Sequence, residues 1–200
     1  MIRRTLFALA IAALAAACTS GVPPDRPPRE PLPVLRLAVG SVQMVDRSRT
    51  PQGDFLDRRR SRELAAKARE VLQRQVVAAG GPGSAEVAIE RARLVRVPVE
   101  RESGITSYFR RDVVARLSAE LAVRLSIRDE TGAERAFAVV EVARERPVLE
   151  GTAAVEVDRL AGELAEASVD ALVRSLVARG EKDLAAWLAL APWTPRERTP

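Results

Sequence analysis

Histidine is absent from this 200-residue chain, and cysteine occurs once. Without imidazole there is no Ser-His-Asp or Cys-His relay, and nearly every zinc site loses its usual nitrogen ligand. A single cysteine forms no disulfide within the chain, so the fold must stand on burial alone. Aromatic residues are scarce as well: two tryptophans, one tyrosine and four phenylalanines. That is too few for an obvious platform on which sugars or bases could stack. Asp and Glu are plentiful, which leaves carboxylate-pair hydrolysis formally open, yet no spacing singles out a pair. The expectation is a protein that is not an enzyme, with no catalytic residues, no cofactor and no metal.

Charge is abundant and nearly balanced, with 32 Lys+Arg against 27 Asp+Glu and a net charge of +5. The two signs are interspersed. Such a mosaic suits a solvated surface and not a nucleic-acid stripe, so no nucleic-acid partner is expected.

Long apolar runs are missing too, except at the start. Arg3 and Arg4 precede an unbroken run of twelve apolar residues, Leu6 to Ala17. Twelve residues are too few to span a bilayer as a helix but suit the core of a signal peptide. Ala15-Ala16-Ala17 then stands before Cys18, the only cysteine. This resembles the bacterial lipoprotein signal, in which the cysteine is acylated and becomes the mature N-terminus. Ala15 stands where that pattern usually has leucine, and Leu14 lies one place further back. Ordinary secretion, with cleavage at the same small residues, is the alternative and would leave a soluble periplasmic protein. Thr19 after the cysteine favours, by the same resemblance, the outer membrane. Removal of Arg3 and Arg4 takes two positive charges from the +5, leaving about +3.

The chain divides as 1–17, signal peptide; 18–33, lipidated cysteine and tether; 34–180, folded domain; and 181–200, short helix and polar tail. TSGVPPDRPPREPLP, from Thr19 to Pro33, favours extended polyproline II, since proline fixes φ and donates no hydrogen bond. At about 3.1 Å per residue it reaches roughly 45 Å. Val34 to Val45 is expected as one strand whose buried phase changes at Gly40-Ser41, with a β-bulge there. Asp54 to Ala79 is expected as a helix capped by Asp54 or Asp57 and stopped by Gly80-Gly81-Pro82. Leu64, Ala68, Val71, Leu72, Gln75, Val76 and Ala79 form its apolar stripe.

Arg58, Arg59, Arg60 and Arg62 crowd the first turns of that helix, an unfavourable place for positive charge beside the helix dipole. They are either a solvated run or a contact for lipid head groups, lipopolysaccharide phosphates or an acidic partner. Ala85 to Val99 is a strand with a twist or bulge near Glu90 to Arg93. Glu100 to Arg110 is a loop whose Tyr108 and Phe109 either fold over the core or touch a partner.

Val113 to Ile127 alternates strictly, apolar at odd positions and polar at most even ones, so it predicts a half-buried strand. Asp129-Glu130-Thr131-Gly132 is a turn, and Glu134 to Glu145 returns as a strand, with Phe137 and Val139 suggesting some cover on its second face. Pro147 to Thr152 is expected to break the sheet. Thr152 or Asp158 then caps a helix with a stripe through Leu160, Leu164, Ser168, Ala171, Leu172 and Leu176, ended or kinked by Gly180. Glu181 to Ala191 is expected as a short helix bearing Trp187, followed by Trp193. This segment either packs on its own domain or docks a partner or membrane.

The expected fold is α+β: a four-stranded, mostly antiparallel sheet, ordered β-α-β-β-β-α in sequence, with two long helices on one face and a short C-terminal helix. The segments LRLAVGSVQMVD, VVAAGGPGSAEVAIERARLV and ARLSAELAVRLSIRD resemble a group of uncharacterised alphaproteobacterial lipoproteins. That resemblance implies no catalytic residues. In layout the chain is also similar to ABC-type transport auxiliary lipoproteins, which pair a lipid anchor with a small α+β domain that meets a periplasmic partner. The resulting expectation is an outer-membrane lipoprotein, accessory or scaffold in envelope assembly or lipid transport, with a periplasmic or outer-membrane protein partner. The alternatives are a regulatory module that binds a peptidoglycan synthase and a carrier of small hydrophobes between sheet and helices.

Overall fold

In chain order the elements are β1 (Leu35–Leu37), β2 (Ser41–Asp46), α1 (Phe55–Gln75), β3 (Val76–Ala78), β4 (Ser84–Pro98), β5 (Val113–Arg128), β6 (Glu134–Leu149) and α2 (Ala154–Asp183), followed by a 3-10 turn, Ala185–Trp187. This is a computed structural model that describes residues 30–99 and 112–189. The chain divides into two units, Met1–Pro31 and Leu32–Pro200, and the architecture is that of the second. A four-stranded sheet runs β2-β4-β5-β6, and β1 and β3 form a separate pair. β2 lies parallel to β4, while β4, β5 and β6 are antiparallel neighbours. The sheet is therefore mixed, and the fold is α+β with two long helices.

Alternation decides β5. Ala115, Leu117, Ala119, Leu121, Val123, Leu125 and Ile127 are each no more than 1 % exposed, and they meet the stripes of α1 and α2 in one core. Side chains two apart on a strand share a face, so one phase goes under the helices and the other stays outside. β4 keeps this phase only by shifting register between Ile89 and Arg91, the irregularity expected there. The turn between β5 and β6 is built on Asp129. Its Oδ1 accepts from Thr131 N at 2.9 Å, Thr131 Oγ1 at 2.6 Å and Ala133 N at 3.0 Å. These bonds, the Thr131 hydroxyl first and Arg135 next, hold the Asp129 carboxyl down to about 2.

Several local expectations are corrected. The segment from Val34 to Val45 is not one bulged strand. It breaks at Ala38–Gly40 into β1 and β2, which belong to different sheets, and this separation lets each half bury its own phase. α1 starts as expected, with Asp54 Oδ1 accepting from Asp57 N at 2.8 Å. It stops at Gln75 instead of Ala79, because Val76 and Val77 leave to pair in parallel with Leu35 and Arg36. Both departing residues are β-branched and suit a strand better than a helix end.

Pro147 does not break the sheet: β6 continues through it to Leu149, pairing Pro147 with Arg116. β6 is an edge strand, where a residue without an N–H can sit without losing a ladder bond. Phe137 and Val139 are 51 % and 42 % exposed, so the second face of β6 is open, not partly covered.

Neither Thr152 nor Asp158 caps α2. Ala153 occupies the cap without a side-chain bond, and Thr152 Oγ1 donates to Leu149 O at 2.7 Å. Gly180 does not end the helix, which runs on to Asp183. A Cβ at position 180 would lie 3.1 Å from Leu35 Cδ1, so glycine serves the close approach of α2 to β1. At Gly83, φ is +78° and a Cβ would stand 2.2 Å from Arg128 O. Only glycine lets β4 begin there.

Candidate functional site

Helical geometry separates the four arginines that the sequence sets side by side. At 3.6 residues per turn, neighbours diverge by about 100°, so Arg58 and Arg62 are exposed while Arg60 is buried, only 6 % exposed. Arg60 Nη2 and Nε donate to Asp158 Oδ1 of α2 at 2.8 and 3.3 Å, and its Nη1 lies 3.7 Å from Asp57. Arg59 Nη2 reaches the other Asp158 oxygen at 3.4 Å. Hydrogen bonding from Arg60, reinforced by both positive charges, lowers the pKa of Asp158. Two turns further along, Lys67 Nζ meets Glu166 Oε1 at 2.8 Å. Arg59 and Arg60 are thus used to hold α1 against α2, and the cleft of about 180 Å³ between the helices is rimmed by these ion pairs.

Arg62 faces elsewhere, into a cleft of about 300 Å³ lined by Asp46, Ser48, Thr50, Ser61, Arg69 and three alanines, Ala65, Ala66 and Ala92. The cleft exists because β2 pairs only with Ser84 to Ile89, the first part of β4. Beyond that point the β4 edge is open and α1 lies beside it. Part of the edge is satisfied by side chains. Ser61 Oγ accepts from Leu94 N at 3.0 Å and faces Leu94 O at 3.3 Å, while Asp57 Oδ1 accepts from Arg96 N at 3.1 Å. Neither Arg62 nor Arg69 has a carboxylate partner among the described residues.

The face of the sheet turned away from the helices is the other notable surface. Ion pairs cross it from strand to strand: Arg47 with Glu86 at 2.6 Å, Arg93 with Glu120 at 3.7 Å, Arg116 with Glu145 at 3.4 Å and Arg124 with Glu134 at 2.7 Å. The Arg124 guanidinium carbon also lies 4.1 Å from the centre of the Phe137 ring. Phe137, Val139 and Val97 are all exposed. No described element covers this face.

The expected short helix over Glu181 to Ala191 is instead the end of α2 and the 3-10 turn. Leu184 is fully buried. Ala38 N donates to Trp187 O at 2.8 Å, Ala189 N donates to Arg36 O at 3.0 Å, and Leu188 bridges Leu37. Trp187 is partly buried and packs on the core. Cys18, Tyr108, Phe109 and Trp193 lie outside the described residues. Sequence reasoning missed Arg69 and Asp46 as neighbours of Arg62. Arg69 was legible in principle, seven residues on and therefore on the same helical face, but Asp46 is brought there by the path of the chain. Among the described residues no three His, Cys, Asp or Glu side chains are grouped to hold a metal, and no helix is long and apolar enough to cross a membrane.

No family model matches the chain, and no curated protein sequence does. Solved structures similar to it include three proteobacterial lipoproteins. The minor lipoprotein of Acinetobacter baumannii is 10 % identical with a TM-score of 0.39, over 76 % of this chain and 96 % of that one. The rare lipoprotein B of Shewanella oneidensis is 14 % identical with a TM-score of 0.40, over 69 % and 94 %. An uncharacterised lipoprotein B of Nitrosomonas europaea is 18 % identical with a TM-score of 0.39, over 80 % and 97 %.

Proposed function

We propose that this chain is an outer-membrane lipoprotein of the uncharacterised alphaproteobacterial group, anchored through acylated Cys18, with a non-catalytic domain that docks a protein partner in the periplasm. The role is that of an accessory or scaffold in envelope assembly or lipid transport. The observation that carries the docking reading is the asymmetry of the sheet. One face is sealed under two helices, and the other presents charged ladders with Phe137, Val139 and Val97 exposed among them. Exposed apolar side chains within a polar frame are the usual composition of a protein-binding surface. The space between sheet and helices is filled by Leu64, Leu72, Leu117, Leu125 and Leu172, each fully buried, which favours the partner over the carrier of small hydrophobes.

Two measurements test this. Cys18→Ser should abolish palmitate labelling and move the protein to a soluble periplasmic fraction. A photo-crosslinking residue at position 116 or 139 should give a discrete adduct in intact cells, and one at position 63, on α1, should not. Adducts of equal yield from all three positions would overturn docking through the open face.

A further inference from the structure

Beyond partner docking, and independent of it, we propose that the cleft between α1 and the open half of β4 binds a phosphate ester that carries a neighbouring ammonium or hydroxyl. Its three donors converge from two segments, α1 and β4. Arg62 and Arg69 stand two turns apart on one face of α1, about 10.5 Å along the axis, and Ala65 and Ala66 between them form a low floor. That spacing lets two long side chains close over a group seated on the alanines. Neither guanidinium is committed to a carboxylate among the described residues, in contrast to Arg59 and Arg60 on the same helix.

The third donor is backbone. Leu94 and Arg96 turn their N–H groups to the open edge of β4, where Ser61 and Asp57 accept them. Ala92 is two residues earlier, so its N–H faces the same way and borders the cleft. A phosphate is the group best matched to planar guanidinium forks and an edge N–H.

Asp46 narrows the ligand class. Its Oδ1 already accepts from Ser48 N at 2.9 Å and Ser48 Oγ at 2.6 Å, so a carboxylate is held within the same cleft. A bare phosphate dianion would be repelled by it. An ester with an ammonium or hydroxyl beside the phosphate places a donor there, with the Thr50 hydroxyl close by. Phosphoethanolamine has this arrangement, free or as a phospholipid headgroup.

The test uses the full unacylated chain, Cys18→Ser, titrated with phosphoethanolamine and with inorganic phosphate while amide resonances are followed. Vesicles of phosphatidylcholine, with and without phosphatidylethanolamine, form a second arm. Saturable shifts at Arg62, Arg69 and Ala92 are expected, with phosphoethanolamine tighter than inorganic phosphate. Arg62→Gln with Arg69→Gln should weaken binding at least tenfold, and lysine at both positions, which keeps the charge but not the planar fork, should restore only part of it. Asp46→Asn should erase the preference for phosphoethanolamine. Arg36→Gln with Arg144→Gln, which removes the same charge elsewhere, should change affinity less than twofold. Flotation that requires phosphatidylethanolamine supports the site and assigns a headgroup. Binding of soluble phosphoethanolamine alone supports the site and assigns a free ester. No saturable shift with either probe, or equal weakening in the control pair, overturns the proposal.

Discussion

The two faces of β5 are made from the same backbone and differ by one residue of phase. Odd positions from Ala115 to Ile127 are sealed under the helices, while Arg116, Glu120 and Arg124 reach across the open face to carboxylates or guanidiniums on neighbouring strands. Yet the open face is not uniformly wet. Ala122 and Ser126 are 4 % and 3 % exposed, and on β4 Ala88 is 1 % exposed. These small residues stand between long neighbours, and arginine stems can cover them while the charged heads stay in water. The same low exposure therefore has two origins. On the covered face it reflects packing between layers, and its loss opens the core. On the open face it reflects shielding within one layer, which a substitution can rearrange.

That distinction predicts unequal costs. Leu121→Asp puts a carboxylate between sheet and helices and should cost roughly 4 kcal/mol or more, enough to unfold a marginal domain; urea denaturation measures it. Truncation after Lys182 removes buried Leu184 and the bonds that tie Trp187 and Ala189 to Ala38 and Arg36. A buried leucine at roughly 2–3 kcal/mol plus two hydrogen bonds at about 1 kcal/mol each predicts a fall in Tm on the order of 10 °C. Unchanged thermal stability would show that this segment is not needed by its own domain.

Asp158→Asn leaves the buried Arg60 with only the more distant Asp57 and should cost about 1–2 kcal/mol, with α1 and α2 loosened before the sheet. Hydrogen exchange would locate the change. The lowered pKa of Asp158 adds a pH dependence of definite sign. Its contribution is complete above the ordinary aspartate range and is lost as pH falls through the depressed folded value. Stability of the parent should drop more steeply there than that of Asp158→Asn, and parallel curves would count against the pair. Glu120→Lys, on the open face, should cost less than about 0.5 kcal/mol, because its partner Arg93 is distant and both are partly exposed. Equal damage from Glu120→Lys and Leu121→Asp would erase the contrast between the faces.

The arginine run shows where sequence reasoning stops. Its location at the start of α1 was legible, because Asp54 caps the helix and the apolar stripe begins nearby. The separation of Arg59 and Arg60 from Arg62 was legible only as a rotation. What each meets was not, since Asp158 lies 98 residues from Arg60, and the cleft at Arg62 depends on how far β2 runs beside β4. Pro147 and Gly180 misled for a related reason. Each is a local stop signal, overridden by an edge position in one case and by a tight crossing at Leu35 in the other.

By itself, then, the amino-acid sequence determined the periodic features: the phase of β5, the buried stripe of α1 from Leu64 to Leu72 and that of α2, the bulge in β4 and the turn at Asp129. These follow from the fixed repeat of a strand or helix and the side chains of adjacent residues. Only the tertiary structure decided that Val76 leaves α1 to pair with Leu35, that Arg60 turns inward to Asp158, and that one face of the sheet stays open. Those outcomes depend on which distant segment occupies the neighbouring space, and a local repeat carries no information about that.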